Sequence, residues 1–321
     1  MRRLPALAAL ALLLASTPAG GQPGRRGPTA PRPSGRRDAR PAPPVSAEAR
    51  RDMEARLAEA RAAYDRNPRD ADAAIWLGRR TAYLGRFREA VDIYTRALRL
   101  HPRDARLLRH RGHRYLTLRR FREAAADLAR AARLVRGRPD EVEPDGIPNE
   151  RNTPTSTLQS NIWYHLGLAH YLLGDFPSAL RAYRECLKVS KNPDMLVATS
   201  HWLYMTLRRA AREREAARVL AAVAPEMDII ENRDYHRLLM LYKGAATPAA
   251  LLAEAERAGG GALANATVGY GVGNWHLYHG RRGEAAALFR RVTQSPQWTS
   301  FGYVAAEAEL RRLGAGRRPI R

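Results

Sequence analysis

The chain has 321 residues, a formal net charge of +23 and one cysteine, Cys186. A single cysteine excludes an intramolecular disulfide, so an exported form must fold without oxidation. The length suits one or two globular domains, and the positive charge favours anionic partners or lipid headgroups over cationic ones. Nearly all of that charge is arginine, since Lys188, Lys191 and Lys243 are the only lysines. Most arginines, among them Arg119-Arg120 and Arg311-Arg312, fall at outward helical positions and read as a solvated face.

At the start, Arg2 and Arg3 precede an apolar run from Leu4 to Ala15, and small residues follow to Gly21. A basic start, a short apolar stretch and a small-residue exit read as a secretory signal peptide over 1–21. The run is shorter than the ~20 residues of a membrane span. Residues 22–44, full of Pro, Gly and Arg, cannot bury a core and are expected to form a disordered basic linker. The chain is therefore expected to be exported, either periplasmic or secreted.

Residues 46–66 form one amphipathic helix that stops at Asn67-Pro68. Residues 71–104 then carry Gly78, Gly85, Phe87, Ala90 and Ala97. The same places 34 residues later hold Gly112, Arg119, Phe121, Ala124 and Ala131. A third unit, 160–193, has Gly167, Gly174, Phe176, Ala179, Tyr183 and Cys186, after an inserted loop at 139–158. The insertion separates a block at 45–138 from a second at 159–313. The pattern weakens over 197–230 and 231–264, where helices are expected near 233–243 and 248–257. It returns in 266–299 with Gly273, Gly280, Ala285 and Phe289. A capping helix at 300–313 and a basic tail at 314–321 complete the chain. Small residues at these places allow helices to cross closely, and the larger residues fill the space between pairs.

A 34-residue helix–turn–helix period resembles the tetratricopeptide repeat family. The resemblance implies an all-α, right-handed α-solenoid without a β-sheet. It also implies that helix A of each unit lines a concave groove that holds a protein or peptide ligand. Carried over by repeat position, the groove residues are Arg79, Tyr83, Arg109, His113, Asn161, Tyr164 and Tyr171. Later units add His201, Met205, Arg208, Asn232, Tyr235, Tyr242, Lys243, Tyr270, Asn274 and Tyr278. Tyrosine and arginine suit such a surface because each joins a large contact area to a polar end. The family's Lys and Asn cluster for a terminal carboxylate is matched only at Asn274, so chaperone-tail binding is not expected.

Chemistry beyond binding has little support. His110/His113 and His276/His279 are three apart, and His165/His170 are five apart, without a completing carboxylate or cysteine at zinc spacing. No metal and no cofactor are expected. The run from Gly269 to Asn274 lacks the strand and spacing of a dinucleotide loop and belongs in a helix. Gly273 there is the repeat's small residue. Gly269 and Gly271 either admit a ligand backbone or loosen the helix. Asp140, Glu141, Glu143 and Asp145 lack the glycine and terminal glutamate of a calcium loop and are expected to fold onto basic repeat surfaces. Cys186 sits at a small-residue position and reads as buried packing. The sequence thus predicts a non-enzymatic scaffold or adaptor of the cell envelope. The alternatives are a polyanion or membrane-surface binder driven by arginine, and an enzyme or enzyme subunit on a repeat scaffold.

Overall fold

The computed structural model describes residues 45–257, 262–296 and 298–315. The signal-peptide and linker segments, and residues 316–321 of the tail, lie outside the described residues. The described chain begins with a single helix, α1 (Ala47–Arg66), followed by helix pairs. The pairs are α2 (Ala71–Tyr83) with α3 (Phe87–Leu100), α4 (Ala105–Thr117) with α5 (Phe121–Val135), and α6 (Leu158–Leu173) with α7 (Phe176–Val189). They continue as α8 (Pro193–Arg209) with α9 (Glu213–Leu220), α10 (Arg233–Tyr242) with α11 (Pro248–Arg257), and α12 (Ala262–Tyr278) with α13 (Arg282–Val292). A last helix, α14 (Phe301–Ala315), ends the described chain. Among the described residues the extended pairing is one isolated antiparallel bridge between Val142 and Thr157. The fold is an all-α solenoid.

Local chemistry sets where the helices start. Asp70 and Asp104 each accept a backbone N–H two residues on, at 3.0 and 2.8 Å, and so cap α2 and α4. Thr157 and Ser160 form a reciprocal capping box that starts α6 where the inserted loop ends. The turns between paired helices need a left-handed residue, and Gly85, Gly174 and Gly280 provide it. Arg119 takes the same conformation at φ 62°, an arrangement unfavourable for a side chain with a Cβ. Its guanidinium reaches Glu307 at 2.8 Å and the Trp298 carbonyl at 2.7 Å, which ties this turn to the C-terminal end.

Pairing follows one rule of size. A Cβ on Gly78, Gly112, Gly167 or Gly273 would fall 2.3–2.7 Å from Tyr94, Leu128, Tyr183 or Phe289 respectively. Each of these large residues lies in the second helix of the same pair, so the missing side chain is what lets the two helices close. In α8 the corresponding place holds Tyr204, which stacks on Tyr242 of α10 at 4.5 Å. That pair of helices is accordingly packed through aromatic rings. Cys186 is fully buried, 3.2 Å from Thr199 Oγ1, and burial pushes its thiol up to about 12. It is a packing residue.

Two segments lie across the helix A face. The loop at 139–157 is anchored by Arg80, which donates to the Gly146 carbonyl at 2.7 Å. At its other end Arg151 pairs with Asp228, and Asn149 and Thr155 donate to Glu231. Of the loop's acidic residues Glu143 lies against a basic surface, beside Arg109 and His110, whereas Asp140 accepts from Thr157 and the Gln159 backbone N–H at the start of α6. α14 packs on α12 and α13 and also reaches α6. Its Phe301 contacts the rings of His113, Tyr164 and His165. Trp298, just before it, stands edge-on to Phe87 of α3 at 5.6 Å. The end of the solenoid thus returns to its early repeats.

The seat of α14 leaves no room beside α12. A Cβ on Gly302 would lie 2.4 Å from the Ala266 carbonyl oxygen. Gly302→Ala is expected to cost about 1–3 kcal/mol, as overpacking does. Comparing urea midpoints of the variant and the parent checks this, and an unchanged midpoint would mean that α14 can shift freely.

Candidate binding site on the helix A face

The residues expected to line one long groove divide into three groups. Tyr164, Tyr171, His201, Met205, Tyr242, Tyr270 and Asn274 are buried. Tyr171 and Tyr270 share a hydrogen bond of 2.7 Å between their hydroxyls, which joins α6 to α12. Tyr164 donates to Tyr235 at 3.2 Å. His201 stacks on Tyr235 and Tyr242 at 4.6 and 5.8 Å. Asn274 accepts from Arg209 at 3.4 Å, and its Nδ2 finds no partner. The physical cause of this burial is the return of α14 and the tight packing of α10 on α8. These side chains hold helices together, so their repeat position alone does not make them ligand contacts.

A second group is tied down but open on one side. Arg208 lies over the Tyr278 ring at 4.3 Å and also bonds Tyr204. Lys243 donates to the Val223 carbonyl. Arg79 lies over Trp76 at 4.5 Å and bonds Tyr83 at 3.4 Å. Arg109 and Asn161 are instead buried: Arg109 lies 3.1 Å from Glu143, which accepts from Asn161 at 2.9 Å.

The third group surrounds an open cleft of about 380 Å³. Its walls are His113 from α4, Asn232 and Tyr235 at the start of α10, Thr267 from α12, and Thr299 to Phe301 leading into α14. Glu231 and Asp234 line it as well. Asp194 fixes the α10 side, since its carboxylate accepts the backbone N–H groups of Ile230, Glu231 and Asn232 at 2.8–2.9 Å. Burial raises Asp234, with Arg237 opposing. Burial and the nearby Arg114 hold His113 well below its usual range, so it is neutral at physiological pH. The cleft therefore offers an imidazole, an amide, hydroxyls, rings and carboxylates, groups that can hydrogen-bond a polar group in either direction. Sequence reasoning assigned His113, Asn232 and Tyr235 to one long helix A groove rather than to this cleft, and it missed Thr299, Ser300 and Phe301, because their approach to α4 is a long-range contact without a local signal.

A helix-pair solenoid whose one-turn glycines admit the large residues of the partner helix defines a repeat scaffold of the kind used in protein–protein interaction. The sequence profile of the tetratricopeptide repeat matches residues 160–193, so the α6–α7 pair is a tetratricopeptide repeat. It is similar to the solved structure of YrrB, described as a TPR protein with an unusual peptide-binding site. That match has 16% identity, covers 78% of this chain and 97% of that one, and has a TM-score of 0.42. The chain is similar also to pilF of Pseudomonas aeruginosa, at 18% identity over 82% of this chain and 92% of that one, TM-score 0.43. A tetratricopeptide repeat protein from Parabacteroides merdae matches at 15% identity over 81% and 94%, TM-score 0.45. No curated protein matches the chain.

Proposed function

We propose that the protein is a non-enzymatic scaffold of the cell envelope that holds a short polar segment of a partner protein. The segment occupies the cleft between α4, α10 and residues 299–301, while α14 and the inserted loop fill much of the remaining helix A face. The observation that carries this reading is the cleft itself, which is open and lined from several elements by groups that both donate and accept. Export rests on the basic, apolar and small-residue order of residues 1–21.

Thr299 is partly exposed on the cleft wall, so Thr299→Arg fills the space without removing a buried contact. Capture of the partner from native envelope by the tagged chain is expected to fall at least about tenfold, which is 1.4 kcal/mol, with an unchanged melting temperature. Undiminished capture would refute the cleft. A second reading, attraction to polyanions or anionic membrane, is favoured by the net charge of +23. It requires binding that weakens steeply with salt and ignores Thr299→Arg.

A further inference from the structure

The cleft differs in charge from the molecule around it. The chain carries a net charge of +23, and three other hollows all have arginine in their walls, Arg291, Arg181 and Arg106 among them. Among the described residues that line the cleft there is no arginine or lysine, whereas Glu231 and Asp234 both contribute carboxylates. Glu231 accepts from Asn149 at 2.7 Å and from the Thr155 hydroxyl at 2.8 Å. Both donors are neutral and leave its negative charge uncancelled. Asp234 pairs with Arg237 at 3.2 Å, and that one guanidinium is shared with Glu254, also at 3.2 Å. Arg114, next to His113 on α4, lies over the Phe87 ring at 5.6 Å and is not part of the cleft wall. His113 itself is neutral and adds no opposing charge.

Aromatic rings share the space with these carboxylates. Tyr235 and Phe301 line the same cleft, and both are partly exposed. A ring face attracts a cation, and a carboxylate makes a charge-assisted hydrogen bond to one. The acidic side is held in place, since Asp194 accepts the backbone N–H groups of Ile230, Glu231 and Asn232. We infer that the cleft selects a basic side chain, lysine or arginine, on the docked partner segment. Glu231 and Asp234 take its N–H groups, and the rings of Tyr235 and Phe301 take its stem and charge. The inference rests on the cleft reading above and adds the chemistry of the segment that enters.

The test uses short acetylated and amidated peptides in which Ala alternates with Lys, Arg, Gln or Glu. In NMR titrations of the full chain, the methyl signals of Thr267 and Thr299 are expected to shift with the Lys or Arg peptide and to stay still with the other two. Nonspecific attraction runs the other way, because a chain of net charge +23 repels basic peptides. Substitutions at accessible positions separate charge from folding. Glu231→Gln is expected to weaken binding at least about fivefold. Thr299→Glu, which adds a carboxylate to the wall, is expected to bind at least about threefold tighter than Thr299→Gln, which adds the same bulk without charge. No shift with either basic peptide, or equal binding by Thr299→Glu and Thr299→Gln, overturns the assignment. So does full binding by Glu231→Gln, or binding of spermidine in preference to the peptides. Envelope capture separates this inference from the reading beneath it. Capture lost with Thr299→Arg but equal for Thr299→Glu and Thr299→Gln leaves the cleft standing and removes the basic side chain, whereas capture that survives Thr299→Arg removes both.

Discussion

Glu309→Ala is expected to destabilise the protein by about 3–5 kcal/mol, the cost of removing one partner from a buried ion pair. Glu309 is 1% exposed and lies between Arg209 of α8 and Arg312 of its own helix. Arg209 also reaches Asn274 of α12, and Arg312 donates to the Leu172 carbonyl at the end of α6 at 3.0 Å. One carboxylate therefore links α6, α8, α12 and α14, and its loss strands two guanidiniums. Burial alone would raise the Glu309 carboxyl, but Arg209 and Arg312 hold it below its usual value of 4.5. A carboxyl depressed in the folded state stabilises fully above its unfolded value. That contribution fades only as pH drops from 4.5 through the lower folded value. Urea unfolding at neutral pH, with hydrogen exchange of α14, measures the effect. A loss below about 1 kcal/mol would mean that the network is solvated rather than structural.

Acid should act earlier, through histidine. His165 and His201 are buried and both fall to about 3 from an ordinary 6.5, in each case chiefly by burial. The unfolded chain binds protons at these sites below pH 6.5 while the folded chain does not, so stability falls as pH falls through that window. The slope is roughly 1.4 kcal/mol per pH unit for each histidine, or about 5 kcal/mol for the two together by pH 4.5. Urea midpoints measured between pH 7 and 4.5 should decline steadily, before Glu309 contributes. A flat profile over that range would show that both imidazoles take up protons in the folded chain.

The fold class was legible because its cause is local. Gly78, Gly112, Gly167 and Gly273 each face a large residue 16 positions on, in the neighbouring helix, and that relation survives in a single sequence. Where Tyr204 replaces the glycine, the repeat becomes faint although the helix pair persists. Gly269 and Gly271 also find a plain reason, since a Cβ on them would meet Val292 at 2.7 Å and Leu238 at 2.5 Å. Close packing accounts for both, without a ligand backbone.

The site was less legible. Repeat position correctly puts Tyr171, His201 and Tyr270 on helix A, yet it carries no information about what α14 covers. Phe301 meets His113 and Tyr164 across more than a hundred residues of chain, and neither periodicity nor composition encodes that meeting. Arg119 held one hint, as an arginine where Gly85 and Gly174 stand in the other turns, kept in a left-handed conformation that its bonds to Glu307 and Trp298 offset.

The central claim is that the partner enters the open cleft beside α14 and not another face of the solenoid. Site-specific photo-crosslinking in native envelope tests it, with the reactive side chain placed at Thr299 in one protein and at the exposed Lys188 of α7 in another. Crosslinks to one partner from position 299, absent from position 188, are the predicted result. Crosslinks from 188 alone, or equally from both, would contradict the account.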